Sequence, residues 1–320
     1  MPGVTTGIRC LPVPILKRAK TLRLNVKMNI FFARLWIRLV RKMKGLSMPA
    51  RERLARTVAL MLWLAVPKRR HVIETNLQLC FPEMPPEERK ALARRVYVRL
   101  ARAAIDHGTL WEADAEEIRR FVTFEGLDNL LDMKDGRPVI VVAPHFAGLD
   151  AAGIALNTYV RGVSLYQKQS NPAWDEAVLQ GRLRFSNPVL IAKSNASDLR
   201  PVLRAMKEGL PFYYLPDMDH GLKNSIFVPF FGVQAATLPM VSRLARLPKA
   251  KVLWCIATMT ENGYHVIISK PWDNFPTADY EADTLRVNQE LEEWIRAYPD
   301  QYLWVHRRFK TRPEGETPIY

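Results

Sequence analysis

The sequence predicts an α/β fold in which helices cover a mainly parallel sheet on both faces. One observation is the apolar, β-branched run Val139–Ala143, bounded by Pro138 and Pro144, which is typical of a strand buried on both faces. A second is the alternation of strand and helix patterns after Pro138, which favours parallel strands joined by crossover helices. The third is a basic N-terminal region of helical composition that precedes the alternating part.

The alternating part can be followed element by element. A strand at Phe121–Glu125 and a short helix at Leu127–Met133 precede the buried run. The predicted strands from there on are Val139–Ala143, Val163–Tyr166, Val189–Ile191, Phe212–Leu215, Lys251–Met259 and His265–Ile268. The predicted helices are Ala147–Asn157, Pro172–Phe185, Ala196–Lys207, Leu238–Leu247 and a long last helix at Ala278–Tyr298.

The N-terminal region mixes apolar and cationic side chains. Residues 28–44 and 51–66 are predicted helices, and the apolar stretch of the second is far shorter than the roughly 20 residues that a spanning helix needs. We interpret both as helices lying in a membrane interface, with Trp36 and Trp63 at headgroup level. The alternative is a basic helical hairpin that packs on the domain with its charges solvated. A proline-led start near Pro85 predicts a further helix to about His107.

The charge of the chain is concentrated in that region. The net charge of the 320 residues is +15, and residues 1–73 contain 17 Lys and Arg against the single acid Glu52, so the remainder is close to neutral. Cations among Phe, Leu and Trp favour an anionic membrane surface and argue against a nucleic-acid partner. The three scattered cysteines argue against a disulfide framework and a zinc site. We expect no metal and no cofactor.

We expect three parts in the chain. Residues 1–27 contain three prolines and no clear periodicity, which predicts a poorly ordered leader. Residues 28–120 form a helical membrane-associating region. Residues 121–315 form the α/β domain, which we expect to make one continuous unit with residues 28–120.

A histidine and a carboxylate follow the buried strand. Five helical residues rotate the chain by roughly 140°, so a contact between His145 and Asp150 requires His145 to lie outside the helix. The flanking Pro144 and Gly148 permit this. Taken alone, one histidine beside Phe146 is more often a packed residue than a catalyst.

Three further segments carry polar groups near the ends of predicted elements. Asp217 and Asp219 follow a buried strand, where ordinary turn chemistry would also explain them, and a metal site is only weakly indicated. The apolar run 227–231 that comes next is interpreted as the wall of a groove for an apolar ligand. Arg182 lies near a helix end and could be a solvated cation. Arg307 and Arg308 belong to a run of cations and aromatic residues that could bind phosphate.

Together these segments resemble the lipid A biosynthesis acyltransferases, the lauroyl and myristoyl transferases of Gram-negative bacteria, within the lysophospholipid acyltransferase superfamily. Pro144–Asp150 matches the superfamily's H-x-x-x-x-D/E signature. The other matching segments, within roughly Met28 to Gly315, are Asn76–Pro82, Pro216–Gly221, Phe227–Gly232, Ala236–Thr237 and Tyr298–Gly315.

The resemblance implies a glycerolipid-acyltransferase-like fold and an acyltransferase reaction. The donor would be an acyl carrier protein thioester and the acceptor a hydroxyl of a Kdo-bearing lipid A precursor, at the cytoplasmic face of the inner membrane. His145 would act as general base and Asp150 would orient it, because an alcohol must lose a proton as it attacks a thioester. The resemblance puts Arg182, Asp217 and Asp219 near the acceptor or in support of the dyad. Arg307 and Arg308 would contact lipid phosphate or a Kdo carboxylate.

Two other functions remain consistent with the sequence. One is a related acyltransferase with a glycerophospholipid or aminolipid acceptor. The other is a non-enzymatic basic protein that binds a membrane or nucleic acid through residues 1–73, and the apolar residues among its cations disfavour nucleic acid.

Overall fold

A computed structural model describes residues 29–133, 136–192, 199–246 and 249–320. The predicted leader at residues 1–27 lies outside these ranges. The first residues of the helix predicted from Ala196 and the last residue of the helix predicted to Leu247 lie outside them as well.

Helices form the described chain before the first strand. They are α1 (29–42), a 3-10 turn at Met43–Gly45, α2 (Met48–Ala65), α3 (Pro67–Cys80), α4 (Pro86–Glu112) and α5 (Ala115–Phe121). A proline in the first turn starts α2, α3 and α4, where no partner is needed for its missing N–H. A capping box of Asp114 and Glu117 starts α5. The sequence predicted α1, α2 and most of α4, but it missed α3 and α5.

One sheet holds the alternating part together. Its strands are β1 (Val122–Glu125), β2 (Val139–Val142), β3 (Val163–Tyr166), β4 (Val189–Ala192), β5 (Phe212–Tyr214), β8 (Lys251–Met259) and β9 (Tyr264–Ile268), and their order is β1-β9-β8-β2-β5-β3-β4. All neighbours are parallel except β8 and β9. The helices among them are α6 (Asp128–Leu131), α7 (Leu149–Leu156), α8 (Pro172–Leu183), α9 (Arg200–Lys207), α10 (Met240–Arg246) and α11 (Tyr280–Ala297). The predicted mainly parallel sheet is confirmed.

Helices cover both faces of this sheet. All four residues of β2 are buried, and they alternate between two hydrophobic clusters. Ile140 and Val142 belong to the cluster that also contains residues of α2, α3, α4 and α11. Val139 and Val141 belong to the cluster that contains residues of α1, α7 and α8. This burial on both faces explains why β2 has no polar position.

A separate antiparallel hairpin, β6 (Ile226–Phe230) and β7 (Val233–Thr237), follows β5. Its turn residues Phe231 and Gly232 both have positive φ, as a two-residue type I′ turn requires. Phe230 and Phe231 are buried and pack edge-on against each other and near the rings of Tyr302 and Trp304. The interpretation of this run as an open groove wall is therefore wrong for these two rings, because they fill the core.

A buried ion network joins the helical region to the sheet. Asp106 of α4 is fully buried, and its carboxylate accepts hydrogen bonds from Arg51 of α2 at 3.0 Å and from the Tyr264 hydroxyl of β9 at 3.1 Å. Arg102, one turn earlier on α4, contacts the same carboxylate at 2.9 Å. The buried Arg51 thus depends on Asp106 for its neutralisation, whereas Arg102 is also paired with Glu52 at 3.4 Å.

Helix α1 has apolar side chains on its buried side and on its exposed side. Ala33, Ile37 and Val40 are buried against the domain, whereas the apolar residues around them are exposed: Phe31, Phe32, Leu35, Trp36 and Leu39. Among the described helices none is long and apolar enough to cross a bilayer. The Trp63 ring is buried between α2 and α4, whereas the Trp36 ring is exposed. Their position at headgroup level stays a prediction.

Candidate active site

His145 lies between the end of β2 and the start of α7. The helix begins at Leu149 after Gly148, so the predicted position of His145 outside the helix is confirmed. The backbone carbonyl of His145 accepts a hydrogen bond from the Leu303 N–H at 2.8 Å, and Phe146 forms a β-bridge with Tyr302. The C-terminal segment therefore fixes the backbone on which His145 stands.

The carboxylate that meets the His145 ring is Asp217. Its Oδ1 lies 2.7 Å from Nδ1 of His145, and its Oδ2 accepts the backbone N–H of His145 at 2.9 Å. Burial raises the pKa of Asp217, but the charge and hydrogen bonds of His145, with a hydrogen bond from Tyr302, outweigh it and lower the pKa to about 2. An ionised Asp217 only accepts, so Nδ1 must carry the proton and Nε2 is left to act as a base.

Asp150 occupies a different place from the predicted one. Its Oδ1 accepts hydrogen bonds from Nε and Nη2 of Arg182 at 2.9 and 2.6 Å, and its Oδ2 lies 3.3 Å from Nε2 of His107. The predicted contact between His145 and Asp150 is thus replaced by the contact with Asp217. The reason is topological. Asp217 follows β5, the neighbour of β2 in the sheet, whereas Asp150 in the first turn of α7 contacts side chains of α4 and α8.

His107 is a site residue that the sequence reasoning missed. Its Nδ1 faces the Ala103 carbonyl at 2.7 Å while its Nε2 faces Asp150, so both ring nitrogens meet acceptors. Burial lowers the pKa of His107, but the hydrogen bond to Asp150 and the charge of that carboxylate more than offset it, and the pKa is raised. Asp150 is therefore held between two cations, and these keep its pKa well below its usual range against the opposing effect of burial. The adjacent polar pair Asp106 and His107, within a largely apolar face of α4, was the available signal.

A second histidine stands beside the first. The rings of His145 and His306 are 4.9 Å apart and packed edge to face. Burial, and then the charge of His145, lower the pKa of His306 to about 4, so this ring is neutral near pH 7. The sequence reasoning had grouped His306 with the cationic run and given it no role of its own.

Asp219 and Arg308, two other predicted binding residues, make hydrogen bonds within the protein. Asp219 accepts hydrogen bonds from the backbone N–H and the hydroxyl of Thr311 at 2.7 and 2.8 Å, which ties its loop to the C-terminal segment. Arg308 is 3% exposed and donates to the Ala236 carbonyl and the Thr237 hydroxyl. The predicted contact of Arg308 with a lipid anion is therefore disfavoured by its burial. Arg307 is exposed, and its role stays a prediction.

An apolar cleft adjoins the Asp150 cluster. Asp150 and Arg182 stand among its otherwise mainly apolar lining, which includes Leu149, Gly153, Ile154, Val163, Leu190 and Tyr213. A Cβ atom added at Gly153 would meet nothing closer than the Tyr213 ring at 3.9 Å, so the cleft is open at this point. Within the described residues no group of three His, Cys, Asp or Glu side chains is arranged to hold a metal ion.

The chain is similar to known proteins over most of its length. Residues 15–311 match the family described as bacterial lipid A biosynthesis acyltransferase. The lipid A biosynthesis palmitoleoyltransferase of Escherichia coli K12 is 34% identical over 259 residues, which are 79% of this chain and 82% of that protein. The lauroyltransferase of the same strain is 32% identical over 79% of this chain and 83% of its own length.

A lipid A biosynthesis acyltransferase of Haemophilus influenzae is 34% identical over 78% of this chain and 80% of its own length. A solved structure, the 1-acyl-sn-glycerophosphate acyltransferase of Thermotoga maritima, has a TM-score of 0.37 and 16% identity, covering 77% of this chain and 98% of that one. The match of the family over most of the sequence, with relatives above 30% identity, shows that this chain belongs to the bacterial lipid A biosynthesis acyltransferases.

Proposed function

We propose that the protein transfers a fatty acyl group from an acyl carrier protein thioester to a hydroxyl of a Kdo-bearing lipid A precursor. Its family membership makes it an acyltransferase of lipid A biosynthesis. The observation that carries the finer proposal is the His145–Asp217 pair at the end of a parallel strand, with an apolar cleft beside the neighbouring Asp150. An acyl chain needs such a cleft, and an attacking hydroxyl needs such a base.

In the proposed reaction His145 works through Nε2. The acceptor hydroxyl oxygen attacks the thioester carbonyl carbon, and Nε2 takes the hydroxyl proton as the C–O bond forms. Asp217 holds the ring through Nδ1 and stabilises the imidazolium. When the tetrahedral intermediate collapses, the C–S bond breaks and the imidazolium returns its proton to the departing thiolate. No side-chain nucleophile is needed.

The Asp150 cluster supports this chemistry from the neighbouring wall. Arg182 donates to the Asp150 carboxylate, and the contact with Asp150 raises the pKa of His107. The Arg182 guanidinium would favour the negative charge that develops on the thioester oxygen. Backbone N–H groups at the start of α7 are further candidates for that oxyanion.

We place the reaction at the cytoplasmic face of the inner membrane. The support is the exposed apolar face of α1, which carries Phe31, Phe32 and Trp36 beside the exposed cations Arg34 and Arg38. A face of this kind binds to the interface of an anionic bilayer.

The test is an assay of purified variants with acyl carrier protein thioester and lipid A precursor. His145→Ala should lose nearly all activity, whereas His265→Ala, a control at a half-exposed histidine on β9, should keep it. Full activity in a folded His145→Ala protein would contradict the base assignment. Equal rates with the coenzyme A thioester would contradict the donor. An unchanged acyl count in lipid A from a deletion strain would favour the glycerophospholipid or aminolipid acceptor instead.

A further inference from the structure

A second cleft, distinct from the His145 site, lies between α2 and α4. It encloses about 290 Å³, and its lining includes Arg56, Leu60, Trp63, Leu64, Arg94 and Tyr97. Trp63 and Tyr97 are buried and pack edge to face with ring centroids 5.6 Å apart. Two rigid aromatic rings therefore lie on the inner side of the cleft, and two arginines stand in its wall.

The cleft is electropositive. The Arg94 guanidinium lies 5.5 Å from the centroid of the Trp63 ring, and no carboxylate within the described ranges forms an ion pair with it. Arg70 of α3 lies over the same ring at 5.3 Å, and its nearest carboxylate, Glu74, is 3.9 Å away. Arg56 pairs with Glu52 at 3.1 Å. Glu52 is shared with Arg102 at 3.4 Å. The cleft therefore has a surplus positive charge, which suits an anion.

The rim of the cleft is apolar. Leu60 and Leu64 of α2 are 61% and 69% exposed. Two large apolar side chains exposed beside the Arg94 guanidinium indicate a ligand with an anionic head and hydrocarbon next to it. A free inorganic phosphate would leave this rim uncovered.

We propose that this cleft binds the phosphodiester of an anionic phospholipid in the membrane surface. Arg56 and Arg94 contact the phosphate oxygens, and the acyl chains lie on Leu60 and Leu64. The site is separate from the reacting groups, so it anchors the enzyme and does not take part in acyl transfer. It adds a specific headgroup contact to the general attraction of the basic region for the bilayer.

The experiment measures binding of the full chain to phosphatidylcholine vesicles with and without phosphatidylglycerol. Arg94→Gln should weaken binding to the anionic vesicles about fivefold, and the double variant with Arg56→Gln more. The matched control is Arg95→Gln, which removes the same charge from the next residue of α4, an exposed position outside the cleft. Equal losses in Arg94→Gln and Arg95→Gln would reduce the effect to net charge and overturn the proposal.

A second measurement separates a phospholipid from a free anion. A short-chain phosphatidylglycerol, used below its micelle concentration, should raise the unfolding temperature of the wild-type protein, whereas inorganic phosphate at the same concentration should not. Arg94→Gln should lose most of that shift, and Arg95→Gln should keep it. An unchanged shift in Arg94→Gln overturns the proposal. So does unaltered vesicle binding of Arg94→Gln combined with a raised KM for the lipid acceptor, which would assign the cleft to the substrate.

Discussion

His145 holds both oxygens of Asp217, one through its ring Nδ1 at 2.7 Å and the other through its own backbone N–H at 2.9 Å. This double contact ties the carboxylate to the residue that it orients. Rotation of the imidazole about χ1 would break the contact between Nδ1 and Asp217, while the hydrogen bond from the backbone N–H would keep the carboxylate in place. The ring is therefore held in one orientation with Nε2 directed away from Asp217.

Replacing Asp217 should harm catalysis more than replacing Asp150. Asp217→Asn removes the charge that stabilises the imidazolium and presents an amide that can impose the wrong tautomer, so we expect kcat to fall about a thousandfold or more. Asp150→Asn leaves the His145–Asp217 pair intact, and we expect a smaller loss. Steady-state kinetics of both variants with the carrier-protein thioester checks this ranking. A near-normal kcat in Asp217→Asn together with an inactive Asp150→Asn would instead favour Asp150 as the residue that orients His145.

The stability of the protein should depend on His107 in a defined pH range. The pKa of His107 is raised in the folded protein, so its contribution to stability is fully present below the unfolded pKa of about 6.5 and is lost as the pH rises through the folded value. We expect the unfolding temperature of the wild type to fall across that range. His107→Gln should show a smaller fall, measured by thermal unfolding at a series of pH values. An identical pH dependence in both proteins would show that the contact with Asp150 does not raise the pKa of His107.

How far the sequence predicted this fold depends on the element. β2 was found because four consecutive residues are buried, which leaves an unbroken apolar run. Helix α3 was missed although Val72, Ile73, Asn76, Leu77 and Cys80 are buried at helical spacing, because a basic run precedes them and one of the buried positions is polar. The β6–β7 hairpin was missed because its turn is Phe231–Gly232 and lacks the usual Asn-Gly signal.

The sequence predicted which residues form the site better than it predicted which of them contact each other. His145 and Asp217 both follow a buried strand, and each was named from that position. Their contact depends on β5 lying next to β2, and the order of strands in a sheet cannot be read from spacing along the chain. The spacing between His145 and Asp150 was the only short-range pattern in the sequence that suggested a contact. In the structure, Asp150 contacts His107 of α4 and Arg182 of α8 instead.

Removing the buried carboxylate of Asp106 should be strongly destabilising. Asp106→Ala leaves Arg51 buried without its counter-ion and leaves Arg102 with Glu52 alone, and breaking a buried pair in this way costs about 3–5 kcal/mol. The control is Asp300→Ala, which breaks a more exposed pair with Arg99 and should cost about 1 kcal/mol or less. Urea unfolding of the two variants measures the difference. Equal costs would show that the Asp106 network is not a special support of the helical region.

The length of the transferred acyl chain should respond to Gly153. Because a Cβ at this position would stand 3.9 Å from the Tyr213 ring, Gly153→Ala fits the cleft without a clash and should leave the donor preference unchanged. Gly153→Leu extends a side chain into the space between α7 and the sheet, where we propose the acyl chain lies. We expect kcat/KM for the longest accepted donor to fall about tenfold or more, while shorter donors are affected less, since each methylene that loses its place in an apolar pocket changes kcat/KM by a factor of 10 or more. A series of carrier-protein thioesters of graded chain length gives the profile.

A uniform loss across the series would mean that Gly153→Leu disturbs the packing of α7, whereas an unchanged profile would remove this cleft as the acyl site. Because Asp150 lies in the first turn of the same helix, its contact with Arg182 must survive for the result to report on the cleft alone. Retained activity with the shortest donor supplies that control within the same experiment.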